Sequence, residues 1–152
     1  MSCPRLFLDA SVWIAAAGSS IGASALVLSV CLEGHAHAVT SRIVLREAER
    51  DIRAKLGSDA LVGFYQRLAS VPLELPKDPT PKEIAVQSQI IDAKDAHVLA
   101  AALGAGVDVL LTLDRKHFFC RKVREAGLLF SITTPGDFLR TLVHGAATDR
   151  ER

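Results

Sequence analysis

The chain has 152 residues, 49% of them apolar and 23% charged, with a formal net charge of +1. That balance excludes intrinsic disorder and a uniformly basic nucleic-acid coat, and the length suits one domain burying roughly 70% of the surface its unfolded form exposes. Three cysteines, Cys3, Cys31 and Cys120, show no CxxC or Cys/His spacing, which excludes a disulfide framework or zinc site and suggests a reducing cytoplasm.

Arg5 to Asp9 reads as a short buried strand, and Asp9 interrupts the apolar stretch in a way no signal-peptide core tolerates. No window approaches the ~18 apolar residues of a membrane helix, so no membrane partner is expected. Ala10 to Ala17 suits a helix ending at Gly18, GSSIGAS is a loop, and Ala25 to Glu33 is helical until Gly34. HAVT makes a second strand. Ser41 is a good N-cap for SRIVLREAERDIRAKLG, which Gly57 closes. SDALVGFYQRLAS is a further helix, VPLEL a short edge strand because Pro72 lacks a donor, and PKDPTPKE a loop. Ile84 to Ile91 and Lys94 to Leu103 are helical, with GAG (104–106) as a C-cap turn. VDVLLTL is a strand, HFFCRKVREAG holds a short helix, LLFSI is the last strand, and PGDFLRTLV is a closing helix with Pro135 in its first turn.

Strands that are continuous apolar runs, alternating with helices, predict an α/β fold: three layers, α/β/α, around a central mainly parallel sheet of four to five strands. Ligands of such sheets sit outside the carboxyl ends of the strands. LFLD and VLLTLD both end there on an aspartate, Asp9 and Asp114, and an ionised carboxylate leaves water only at a cost of several kcal/mol or more. Two such groups at one edge repel each other unless a cation lies between them.

Further acids are reached by helical bookkeeping. Over Ser41 to Gly57, at about 100° per residue, Val44, Leu45, Ala48, Ile52 and Leu56 form the core stripe while Arg42, Arg46, Arg50 and Arg53 line the opposite side. Glu47 lies at the border, where it can point along the sheet edge. In IIDAKDAHVLAAALGAG, Asp92 and Asp95 compete: one caps the helix, the other is free for chemistry, and spacing alone does not choose.

With LDAS, SRIVLREAERDI and KDAHVLAAALGAGVDVLLTLDRKHF in order, the chain from about Leu6 to Phe138 resembles the PIN-domain family of metal-dependent ribonucleases. The length and this resemblance together suggest a single nuclease domain over residues 5–144, and the polar GAATDRER stretch reads as a flexible tail at 145–152. It places the family's four metal-binding acids on Asp9, Glu47, Asp95 and Asp114 and leaves Asp92 as the cap. Oxygen-only ligands imply Mg²⁺ or Mn²⁺ and not zinc. The implied reaction is hydrolysis of single-stranded RNA by a metal-activated water, leaving a 5′-phosphate and a 3′-hydroxyl. The resemblance extends to the toxins of bacterial toxin–antitoxin pairs, which implies a homodimer and a small antitoxin that masks the acidic pocket. Two departures stand out: Lys116 and His117 occupy the stretch where many members carry a further acid, and Ala10 stands where a hydroxyl residue commonly follows the first aspartate.

Ser11 and Thr112, each two residues from an aspartate, either orient water or ligands or bond locally to backbone. Arg115, Lys116, Arg121, Lys122 and Arg124, together with Arg42, Arg46 and Arg50, would grip an RNA backbone without reading bases; Glu49 can also pair with Arg46 and Arg53 at helical spacing. The histidines, His35, His37, His97, His117 and His144, are expected on the surface. Trp13, Phe118 and Phe119 are expected in the core, and Cys120 is expected to be a buried, inert thiol. Two other functional classes compete: a phosphoryl-accepting α/β domain, either a receiver or a haloacid-dehalogenase-like phosphatase, and a non-catalytic scaffold binding RNA or protein. The phosphatase wants Asp-x-Asp at the first strand, where this chain has Ser11.

Overall fold

The computed structural model describes residues 3–150. The first apolar run forms β1 (Arg5–Leu8), the middle strand of a five-stranded, wholly parallel sheet. On one side β1 pairs with β2 (His37–Val39), which pairs with the edge strand β3 (Leu73–Glu74); on the other it pairs with β4 (Val109–Leu111), which pairs with β5 (Ser131–Thr133). Leu6, Phe7, Leu8, Leu110 and Leu111 are fully buried, which is why these strands read as unbroken apolar runs.

Helices α1 (Ala10–Gly18) and α2 (Ala23–Leu32) connect β1 to β2, and α3 (Arg42–Lys55) and α4 (Ser58–Ser70) connect β2 to β3. The chain then returns across the sheet through α5 (Pro81–Gln87) and α6 (Ala96–Ala105) to β4. Short helices α7 (Arg115–Phe118) and α8 (Arg121–Arg124) lead to β5, and α9 (Pro135–Arg150) follows. Parallel crossovers are right-handed, so reversing direction after β3 puts α1–α4 on one face and α5–α8 on the other. The packing agrees: α1 touches α2, α3 and α4, α5 touches α6, and α9 lies on α2. Trp13 of α1 meets Phe64 of α4 edge-on, ring centroids 6.0 Å apart.

Most local expectations hold, and the exceptions have identifiable causes. Ser41 caps α3 by accepting from the Val44 amide at 3.1 Å, and Gly106 ends α6 in the left-handed region at φ 64°. Helix α5 starts at Pro81 and stops at Gln87, three residues earlier at its start and four at its end than expected. Thr80 and Glu83 form a reciprocal capping box with Pro81 in the first turn, so TPKE is a helix start and not loop. The last strand is SIT and not LLFSI: Leu128 and Phe130 instead line a cavity of about 280 Å³ with Phe118 and Val123, and pairing with β4 begins only at Ser131. Helix α9 continues to Arg150; residues 151–152 of the expected tail lie outside the described residues. No single described helix is long and apolar enough to cross a membrane.

Candidate metal centre at the switch point of the sheet

The sheet grows outward from β1 to β2 and β3, then restarts on the other side of β1 at β4. Between β1 and β4 the direction of winding reverses, and the crevice at the carboxyl ends of those two strands is where open α/β sheets bind ligands. Asp9 follows β1 there, its backbone N–H donating to the Leu111 carbonyl at 3.1 Å, and Asp114 follows β4.

Three aspartates occupy helix N-cap positions around this crevice: Asp9 before α1, Asp95 before α6 and Asp114 before α7. A carboxylate at an N-terminus ordinarily takes a backbone N–H of the first turn. The side chains of Asp9 and Asp95 do not cap their helices: Asp9 is held by hydroxyls of the crevice, and one Asp95 oxygen has no donor among the described residues. Asp92 makes only a local turn, accepting from the Lys94 amide at 3.2 Å. The sequence-level role of Asp92 as the cap of α6 is therefore corrected: Asp95 holds the cap position without capping, and Asp92 lies one turn upstream.

Asp9 is buried, and Oδ2 accepts from the Thr112 hydroxyl at 2.7 Å and the Ser11 hydroxyl at 3.2 Å. Both hydroxyls also accept backbone N–H groups, Thr112 from Asp114 at 3.1 Å and Ser11 from Leu113 at 3.0 Å. One small network thus ties Asp9 to the turn that presents Asp114. Burial raises the Asp9 pKa above its ordinary value; the bonds from Thr112, Ala10 and Ser11 oppose this, and the charge of Glu47 adds to it. Asp95 is raised too, first by burial, with His117 and Lys94 opposing and with Asp114 and Asp9 repelling. Asp95 therefore lies within electrostatic reach of Asp114 and Asp9, and Asp9 within reach of Glu47.

Two histidines expected on the surface belong to this site. His97, on the first turn of the buried α6, places Nε2 2.9 Å from Glu47 Oε1. His117, in the turn capped by Asp114, places Nδ1 2.8 Å from Asp114 Oδ2 and 3.9 Å from Asp95 Oδ2. Donor atoms of Asp95, Asp114 and His117 all lie within 4.8 Å of one another. The signals were present in the sequence: a single polar residue in AHVLAAAL, two after Asp95, and a histidine three after Asp114, on the same side of a helical turn. Cys120 is half-buried, not buried, whereas Trp13 and Phe118 are core.

The basic residues are exposed as expected. Arg42, Arg46 and Arg50 line the outside of α3, with Arg50 3.4 Å from Asp51, and Glu49 turns to Arg53 at 3.4 Å. Arg115, Lys116, Arg121 and Lys122 follow Asp114; the Arg115 guanidinium lies over the Phe119 ring, and Arg121 bonds Glu125 at 2.8 Å.

Asp95 Oδ2 is buried and has no hydrogen-bond donor among the described residues. A buried acceptor without a donor costs about 1–3 kcal/mol, more if charged, so this oxygen marks where a cation fits. Together with the oxygen-rich surroundings, it makes the site suited to a divalent ion.

Comparison with solved structures identifies the same fold. The VapBC2 complex of Rickettsia felis, bound to a DNA fragment from its promoter, superposes with a TM-score of 0.58 at 16% identity over 84% of this chain and 96% of that one. VapBC-1 of nontypeable Haemophilus influenzae gives 0.56 at 15% over 87% and 98%, and Mycobacterium tuberculosis VapC20, a Sarcin-Ricin loop cleaving toxin, gives 0.54 at 18% over 81% and 95%. Among curated protein sequences, none matches this chain. The PIN domain matches residues 5–116, and with that match and the sheet order in place, this chain belongs to the PIN domain family.

Proposed function

We propose that the chain is a divalent-metal-dependent endoribonuclease hydrolysing phosphodiester bonds of single-stranded RNA, and the toxin of a toxin–antitoxin pair. The observation that supports the reading is the cluster of Asp95, Asp114 and His117 at the switch point, donor atoms within 4.8 Å of one another, with Asp9 in electrostatic reach of Asp95 and Glu47 of Asp9, and with one buried Asp95 oxygen lacking a donor among the described residues. These carboxylates fit Mg²⁺ or Mn²⁺. When bound, such an ion supplies charge to the scissile phosphate and acidifies a water. The Ser11 and Thr112 hydroxyls hold Asp9 by one oxygen, and the His117 amide holds Asp114 Oδ1 at 3.2 Å, so each acid presents its other oxygen in a fixed direction. Arg115, Lys116, Arg121 and Lys122 on one rim, and Arg42, Arg46 and Arg50 on the other, grip the RNA backbone without reading bases.

PIN family membership supports this reading over a receiver or phosphatase. The VapBC complexes and the VapC20 toxin support the pairing: in this reading a small antitoxin covers the acidic crevice, and the chain works as a homodimer in the cytoplasm, a single domain over residues 5–144. The test is incubation of the purified protein with labelled single-stranded RNA and Mn²⁺ beside Asp9→Asn. Cleavage by wild type alone is expected; equal cleavage by both would mean contamination and would end the mechanism.

A further inference from the structure

We propose that His117 is itself a metal ligand, its Nδ1 joining Asp95 and Asp114 in a mixed nitrogen–oxygen centre that prefers Mn²⁺ to Mg²⁺. The inference rests on the metal-dependent reading above and refines it.

The backbone dictates where the ring goes. Asp114 caps α7, taking the His117 amide on Oδ1, so the residue three positions on is turned back toward the cap while Arg115 and Lys116 face solvent. The ring then lies 3.0 Å and 2.8 Å from the two Asp114 oxygens and 3.9 Å from Asp95 Oδ2. Neighbouring ligands of one six-coordinate ion at ~2.1 Å stand about 3 Å apart. The spacing of these three donors is therefore close to what a shared ion requires.

A plain side-chain pair between His117 and Asp114 accounts for the shorter contacts. It does not account for Asp95, which the same nitrogen faces and whose Oδ2 is buried without a donor. An ion between the three groups satisfies all of them at once. The oxygen-only donor set expected from the sequence is then incomplete, and its consequence changes: imidazole suits first-row transition ions, whereas Mg²⁺ favours oxygen and dehydrates reluctantly.

The test is pulsed electron paramagnetic resonance of the full-length protein loaded with Mn²⁺, which detects a directly bound ¹⁴N. Wild type and His97→Asn should show the coupling. His117→Asp should lose it while still binding Mn²⁺, and the ratio of Mg²⁺ to Mn²⁺ dissociation constants should fall. His117→Ala should weaken Mn²⁺ at least ~10-fold, the low end of the loss seen for even an outer partner of a ligand. Bound Mn²⁺ without nitrogen coupling in wild type, or coupling that survives His117→Asp, overturns this inference and leaves the nuclease reading standing. Failure of wild type to bind any divalent ion overturns both.

Discussion

The same two strands carry charge at both ends, and the ends are built oppositely. At the amino end the Arg5 amide donates to Asp108 Oδ2 at 2.8 Å, and its guanidinium reaches Glu74 at 2.5 Å and the Ala105 carbonyl at 2.9 Å. Each charge there has a partner, and Arg5 holds the Glu74 carboxyl below its usual range. At the carboxyl end Asp9 and Asp95 are pushed up by burial and by neighbouring acids, and one Asp95 oxygen has no donor among the described residues. An ion-paired set needs nothing further, whereas partly buried acids clustered together, faced by the imidazoles of His97 and His117, are relieved by an added cation or a retained proton. The imbalance at one end of a sheet balanced at the other is what marks the functional edge.

The comparison breaks most visibly at Asp9. Asp9→Asn should lower single-turnover RNA cleavage by at least ~100-fold, the upper end of what losing an outer partner of a metal ligand costs. Next in size, Mn²⁺ at a hundredfold excess over its Kd should stabilise wild type by about 2.7 kcal/mol. For a chain of this length that is roughly 5–10 °C in Tm. A calorimetric scan should show the shift in wild type and little of it in Asp9→Asn. Thr112→Val keeps the shape but removes the hydroxyl shared by Asp9 and Asp114, and should cost about 1–3 kcal/mol by urea denaturation, with Thr112→Ser recovering much of it.

In chelator the sign reverses at the same position. Because the native state of Asp9 and Asp95 holds protons that the unfolded chain releases, metal-free stability should fall as pH rises from the ordinary carboxyl range through their raised values. Asp9→Asn should flatten that decline and gain on the order of 1 kcal/mol at neutral pH, typical of a single-site change. A rise in stability across that window would contradict the unbalanced edge. The smallest effect belongs to the ion-paired set around Arg5: Glu74→Gln should cost no more than about 1 kcal/mol, as exposed ion pairs do. That loss should be full above the usual carboxyl range and fade as pH falls through the lowered pKa of Glu74.

Whatever local pattern controls is legible in the chain. A continuous apolar run ending in Asp places that aspartate at a strand end, and the positions of Asp9 and Asp114 follow from that pattern alone. The 3.6-residue stripe of α3 likewise puts Glu47 at the border of the buried face, where it is partly exposed beside His97. The start of helix α5 carries a local signal, the TPKE capping box, which the proline-rich neighbourhood disguises as loop.

Tertiary structure decides which of two nearby aspartates faces the crevice and which histidines join it. Asp92 and Asp95 have equal claim by spacing, and only the fold brings the Asp95 carboxylate beside Asp114 and His117. His97 and His117 are marked in the chain by their spacing from Asp95 and Asp114, but what they meet there, Glu47 from α3 and Asp95 from the start of α6, is set by the fold. The order of the acids along the sequence is a local property; their convergence, and the nitrogen among them, is a property of the switch in winding between β1 and β4.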